Sequence, residues 1–304
     1  MNPNLLQELR KLSNEIAHGQ RRSDPDYLAN RLQEFGISIP PADLQWFVAD
    51  LLRSSGGHGE NFVPPLLLDV VRCLLDGRSA SVACDPWAGL GILAAVIHEV
   101  THARRTIACA QSANSEALSR ALTPQLDWRG GQLANPVAFL ETLSDPLDVI
   151  ASVLPFGVQI PEPIEICNSS GERVESRELA SVVLAATSMR LSPEGVGLFV
   201  VMPTFFFAQK SILPDLPRLG LCVEAALALP AGSFAPYTTI STYLVVVRRR
   251  ASAQMFVAQL SHDLHTNRQI VANLREGTRR EGATRPRATF IDTPRCRRSA
   301  ESVG

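Results

Sequence analysis

From Ser81 onward the chain alternates short β-type runs with helical stretches, and this constrains its fold more than any other feature. SVACD (81–85), RTIACA (105–110), LDVIASVL (147–154) and VGLFVVMP (196–203) read as buried strands. GILAAVIHEV (91–100), NSEALSRAL (114–122) and RELASVVLAATSMRL (177–191) read as the helices between them. LCVEAALALP (221–230) and ISTYLVVVRR (240–249) read as the last two strands. Apolar runs bounded by turn signals and alternating with helical periodicity predict a mostly parallel sheet with helices on both faces. Ligands of such sheets sit at the carboxyl ends of the strands. The first strand ends in Asp85-Pro86-Trp87-Ala88-Gly89-Leu90-Gly91 and runs straight into a helix. Gly89 and Gly91 allow a tight turn and close backbone approach to a ligand, and the helix N-terminus supplies unpaired N–H groups. Asp85 would stand at the strand tip as an acceptor for an ammonium or a hydroxyl.

The flanks read differently. Residues 1–57 carry helical periodicity at Leu5, Leu6 and Leu9 and again at Leu28, Leu32 and Phe35, broken at Ser23-Asp24-Pro25 and Ile39-Pro40-Pro41. They predict a helical segment ahead of the main domain (58–250). Residues 251–304 predict a basic, partly disordered extension. From Arg268 on it holds nine arginines against four carboxylates, Glu276, Glu281, Asp292 and Glu301. That excess could contact phosphate or simply be solvated. Aromatic side chains are absent there apart from Phe290, which argues against stacking on single strands.

Composition excludes several classes. With 29 cations against 30 carboxylates, nothing global draws the chain to nucleic acid or an anionic membrane. Lys11 and Lys210 are the only lysines, so arginine supplies almost all positive charge. The six cysteines (Cys73, Cys84, Cys109, Cys167, Cys222, Cys296) form no CxxC pair, which argues against a zinc ribbon or a disulfide scaffold. Reduced thiols in a cytoplasm are expected. The N-terminal residues show no apolar signal-peptide core, and no apolar run approaches the length of a membrane span.

DPWAGLG resembles the DPxxGxG cofactor motif of adenine-specific DNA methylases, and the chain as a whole resembles most the modification subunits of type I restriction systems. Four more segments agree in order: NFVPPLLLDVVRCLL before the first strand, LDVIASVLPFG, RELASVVLAATSMRLSPEGVGLFVVMP and LALPAGSFAPYTTISTYLVVVRR. The likeness covers roughly 58–260. It implies a class I S-adenosylmethionine-dependent methyltransferase fold, Rossmann-like, behind a short N-terminal helical segment. It also implies an adenine-directed DNA methyltransferase working with a separate specificity subunit and possible restriction subunit, because the stretch after the last strand is short for a target-recognition domain.

The same resemblance places S-adenosylmethionine against Phe62, Pro64, Asp85, Pro86, Gly89, Gly91 and Gln111. Two family features are altered: Val63 replaces a threonine, and Gln111 (or Ser112, by register) replaces the acidic residue that holds the ribose. The largest departure is at the catalytic motif, Asn-Pro-Pro-Phe in the family and Val153-Leu154-Pro155-Phe156 here. The Asn oxygen and a backbone carbonyl accept the two hydrogens of the adenine amine and make its nitrogen a better nucleophile. Leu154 keeps its carbonyl, Val153 accepts nothing, and Phe156 remains a platform for a flipped base. Ser152, one residue early, should face the other side of the strand. An inactive cofactor- or DNA-binding or assembly subunit is therefore the first alternative. A zinc hydrolase is the second, because His98-Glu99-x-x-His102 matches HExxH, although no third ligand follows. No metal ligand set is expected, and His262 and His265 read as solvated.

Overall fold

A computed structural model describes residues 63–110, 119–120, 122–130, 135–208, 211–235, 239–250 and 254–276, the backbone of 288–292, and the single residues Gln7 and Lys11. The N-terminal helical segment, Phe62, Gln111 and most of the arginine-rich terminus lie outside the described residues.

Helix α1 (Pro65–Leu75) opens on Pro64 and Pro65, whose fixed φ suits a helix start. It buries Leu67, Leu68, Val70, Val71 and Leu75 and leads to β1 (Val82–Asp85). There follow α2 (Ile92–Thr101), β2 (Arg105–Ala110), β3 (Asp127–Gly130) and β4 (Leu147–Val153). A hairpin of β5 (Gln159–Cys167) and β6 (Arg173–Glu178) forms a separate two-stranded sheet. Next come α3 (Leu179–Ser188), β7 (Leu191–Val201), the single turn α4 (Thr204–Phe207), β8 (Cys222–Ala228) and β9 (Tyr243–Arg248). The described chain closes with β10 (Gln254–Gln259), α5 (Leu264–Glu276) and β11 (Ala288–Asp292).

The main sheet has nine strands in the order β11-β10-β8-β9-β7-β4-β1-β2-β3. β3, β2, β1, β4 and β7 run parallel, β9 enters antiparallel between β7 and β8, and β10 extends the sheet parallel to β8. β1, β2, β4 and most of β7 are buried on both faces, which is why they read as unbroken apolar runs. One apolar layer joins α1, α2 and Ile270 of α5 to one side, and a second joins α3 to the other. Asp148 sets the register at the amino ends of the three central strands. Its Oδ2 accepts from the Ser81 and Val82 N–H groups at 2.8 and 3.2 Å, and its Oδ1 accepts from Ser192 Oγ at 2.9 Å.

The helix expected over 114–122 lies largely outside the described residues; the other strands and helices expected between 81 and 249 are present, with two differences. The helix expected from 177 begins at Leu179, because Arg173–Glu178 pairs with β5 instead. The sheet also runs past residue 250: β10 pairs with β8, and α5 packs on α1. Arg275, counted with the basic terminus, donates to the Cys73 and Asp76 carbonyls at 2.7 Å and so closes the end of α1. His262 and His265 are exposed, as expected.

Candidate active site

The carboxyl end of β1 delivers Asp85 into a closed environment, 1% exposed. Its Oδ1 accepts two hydrogen bonds, from Ser152 Oγ at 2.7 Å and from the Trp87 N–H at 3.1 Å. Burial pushes the carboxyl up to about 7, and these two bonds hold it below where burial alone would put it. No cationic side chain among the described residues contributes. A buried carboxyl without a cation is an acceptor for a positively charged or hydrogen-donating ligand.

The turn after Asp85 is shaped by its glycines. Gly89 and Gly91 have φ of 53° and 83°, in the left-handed region that favours glycine. Gly91 is constrained twice, because a Cβ there would stand 2.7 Å from Trp128 Cζ2 and 2.8 Å from Thr123 Oγ1. The turn is stitched to β2 by the Ala88 N–H on the Cys109 carbonyl at 3.1 Å, and Ser119 Oγ donates to the Gly89 carbonyl at 3.0 Å. Gly91 is the N-cap of α2. It brings no side-chain cap, and the first turn of the helix holds no acidic residue. The positive end of the helix thus has no carboxylate of its own first turn to neutralise it. Pro64 caps α1 and is buried, and its neighbour Val63 lies in the same apolar layer as Leu90 of the turn.

The second half of the site follows β4, the strand beside β1. Val153 and Phe156 are half-buried against the apolar layer that also holds Val63 and Phe234, whereas Leu154 is buried in the layer on the opposite face. The rings of Phe156 and Phe234 meet edge to face, 5.5 Å between centroids. A small cleft with room for little more than a water molecule adjoins this segment, lined by Pro155, Phe156, Gly157, Glu178, Met202 and Phe205 among others. Ser152 alternates with Val153, as expected, and its hydroxyl is committed to Asp85.

The structure therefore gathers Asp85, Pro86, Gly89 and Gly91 in one turn and sets Val153 to Phe156 on the adjoining strand end. Sequence reasoning gave no role to Ser152 or Phe234. Phe234 sits in a quoted segment and could have been singled out as its one aromatic ahead of the tyrosine. Ser152 could not, because its partner is 67 residues away.

The HExxH reading loses its geometry. His98 Nδ1 lies 3.0 Å from Thr106 Oγ1 of β2, half-buried, and burial lowers its pKa. His102 is the C-cap of α2 with φ of 47°, so the helix that would align the two rings ends between them. Among the described residues no group of three His, Cys, Asp or Glu is placed to hold a metal ion. No helix of the described residues is long and apolar enough to cross a membrane.

No protein-family model matches the chain, and no curated protein does. Solved structures do. A protein of Listeria monocytogenes assigned as a class I S-adenosylmethionine-dependent methyltransferase is 15% identical with a TM-score of 0.64, covering 88% of this chain and 97% of its own. A protein of Vibrio vulnificus YJ016 assigned as the modification subunit of a type I restriction enzyme is 16% identical with a TM-score of 0.63, covering 83% and 59%. The methyltransferase subunit of a type I restriction-modification system of Streptococcus thermophilus is 12% identical with a TM-score of 0.57, covering 76% and 62%. The chain thus spans about six tenths of the length of these two type I subunits. Its fold is that of the class I S-adenosylmethionine-dependent methyltransferases.

Proposed function

We propose that this chain binds S-adenosylmethionine at the β1–α2 turn and serves as the adenine-directed DNA modification subunit of a type I-like restriction-modification assembly, with a weakened transfer step. The observation that carries the reading is Asp85, a buried carboxyl with no cationic partner among the described residues, at the head of the turn that leads into an uncapped helix N-terminus.

The donor set suits the cofactor. A carboxylate at the strand tip matches its ammonium, and the free N–H groups of α2 match its carboxylate. Pro64, Pro86, Gly89 and Gly91 would form the walls, with Phe62 and Gln111 completing them from outside the described residues. The cofactor supplies a methyl group on a cationic sulfur. The chain's own task is then to hold the amine of an adenine in line with that methyl. The carbonyl of Leu154 can accept one amine hydrogen, and the half-buried Phe156, backed by the buried Phe234, offers aromatic surface for a base lifted from its duplex. Val153 offers no acceptor for the second hydrogen, and losing one such preorganised partner typically slows a reaction by about 10²–10³. The likeness to type I subunits supports a separate specificity subunit that reads the DNA, and a restriction subunit as a further partner.

A second reading shares the cofactor site and differs only at β4: a subunit that binds cofactor but transfers nothing. Val153 favours it. Calorimetric titration with S-adenosylmethionine, with Asp85→Ala as control, tests what the two share. Saturable binding lost in the variant is expected, and no binding at millimolar cofactor would overturn both. Methyl transfer to DNA in the presence of a specificity subunit then separates them.

A further inference from the structure

Ser152 lies within LDVIASVLPFG but has been given no role, yet it is fully buried and makes the shorter of the two hydrogen bonds to Asp85. The two residues are brought together only because β4 is the parallel neighbour of β1. Both hydrogen bonds to the carboxyl fall on Oδ1, so Oδ2 receives none from any described residue. The groups packed around the carboxyl are almost all neutral. On its own strand Cys84 is a buried thiol held well above its ordinary pKa, and on β2 Cys109 is buried too. Arg105, at the far end of β2, is engaged by Asp127 at 2.9 Å. His98 of α2 is turned to Thr106, and on β4 the ionisable Asp148 sits at the amino end, on Ser81, Val82 and Ser192.

We infer that Ser152 is a positioning residue of the cofactor site: its hydroxyl clamps Oδ1 of Asp85, leaves Oδ2 for the ligand's ammonium, and keeps the carboxyl ready to ionise when a cationic ligand arrives. The inference rests on the cofactor reading of the β1–α2 turn. The physical argument is one of linkage. Burial has moved Asp85 to about 7, so near neutrality the free protein is a mixture of protonated and ionised forms. A cationic ligand prefers the ionised form, and its uptake below the midpoint sends the proton of Asp85 to solvent. The Ser152 hydroxyl donates to the ionised form and favours it. Without it the midpoint climbs, and binding at neutral pH weakens although no ligand contact has been removed.

The test is S-adenosylmethionine affinity from pH 5.5 to 7.5, by calorimetry in two buffers of different ionisation enthalpy, with Ser152→Ala, Ser152→Thr and Asp85→Asn alongside. The wild type should gain close to tenfold in affinity per pH unit at the acid end, flatten toward 7, and release a proton on binding at pH 6. Ser152→Ala should bind roughly tenfold or more weakly at pH 7 and show no flattening in the range. Ser152→Thr, which keeps the hydroxyl on a β-branched residue suited to a strand, should restore the wild-type profile. Asp85→Asn should be flat. 5′-Methylthioadenosine, which lacks the amino-acid arm, should show neither the pH dependence nor the Ser152→Ala effect. A wild type that binds without proton release, or a Ser152→Ala profile that superimposes on it, would overturn the inference and leave the cofactor reading standing. Failure of Ser152→Thr to rescue would assign Ser152 to packing alone and overturn it too. A wild type that does not bind at all overturns the cofactor reading and the inference with it.

Discussion

The ends of β1 and β4 are neighbours in the sheet, and they have fared differently. At β1 the buried carboxyl, the two glycines with positive φ and the uncapped helix stand together, although Val63 and Gln111 stand where the resemblance calls for a threonine and an acidic residue. At β4, on the proposed reading, the position that would accept from a substrate holds Val153, packed with Phe156 against the apolar layer. The contrast follows from what each position holds up. Gly91 and Asp85 are bound into the fold as well as the site: a Cβ at Gly91 would enter the Trp128 ring, and Asp85 ties β1 to β4. Val153 ties nothing polar, so an apolar side chain there satisfies the core without disturbing its neighbours.

Four measurements would break or sharpen this contrast. The largest effect concerns stability. Between about pH 4 and 7 the unfolded chain has given up a proton that folded Asp85 keeps, so stability falls as pH rises through that window and stays low above it. Relative to Asp85→Asn, the ligand-free wild type should lose up to roughly 4 kcal/mol between pH 4 and 7.5, read by denaturant unfolding at each pH. Equal slopes for the two proteins would mean that Asp85 is not held back from ionising. Next is Val153→Asn, expected to raise methyl transfer to DNA by roughly 10²–10³ with the specificity subunit present. No gain would place the defect beyond one acceptor. Gly91→Ala should cost about 1–3 kcal/mol through its positive φ and the clash with Trp128, and should weaken cofactor binding with it. Unchanged melting would show that the turn is held less tightly than β4. The smallest effect is a control at the opposite pole. Glu224 pairs with Arg248 at 2.9 Å and also with Arg250, and Glu224→Gln should change stability by less than about 1 kcal/mol and leave binding alone.

Much of this was legible in the sequence because it is local. Strands buried on both faces announce themselves as apolar runs, and Asp85 to Gly91 is one continuous turn. The illegible parts have specific causes. β3 is the short, half-polar Asp-Trp-Arg-Gly, and it is held as a strand by its place beside β2 and by Arg105 on Asp127. The β5–β6 hairpin is rich in proline and glutamate, and it is braced instead by Asn168, which donates to the Arg218 carbonyl at 2.9 Å. β10 and α5 follow an arginine run that looked like a terminus. The HExxH spacing counted residues correctly but could not show that the helix ends at His102. Ser152 depends on strand order, which spacing along the chain does not encode.

The place of β9 has a consequence for the chain as it leaves the ribosome. β9 fills the gap between β7 and β8 although it is made after both. Until Arg248 has emerged, β8 has no partner in the main sheet and β7 presents an open edge. A nascent chain halted near Ala228 therefore carries one unpaired strand, β8, and one open edge, on β7, each a template for another such chain. The six-residue β9 closes the gap between them, and the outer edge of β8 stays open until β10 follows.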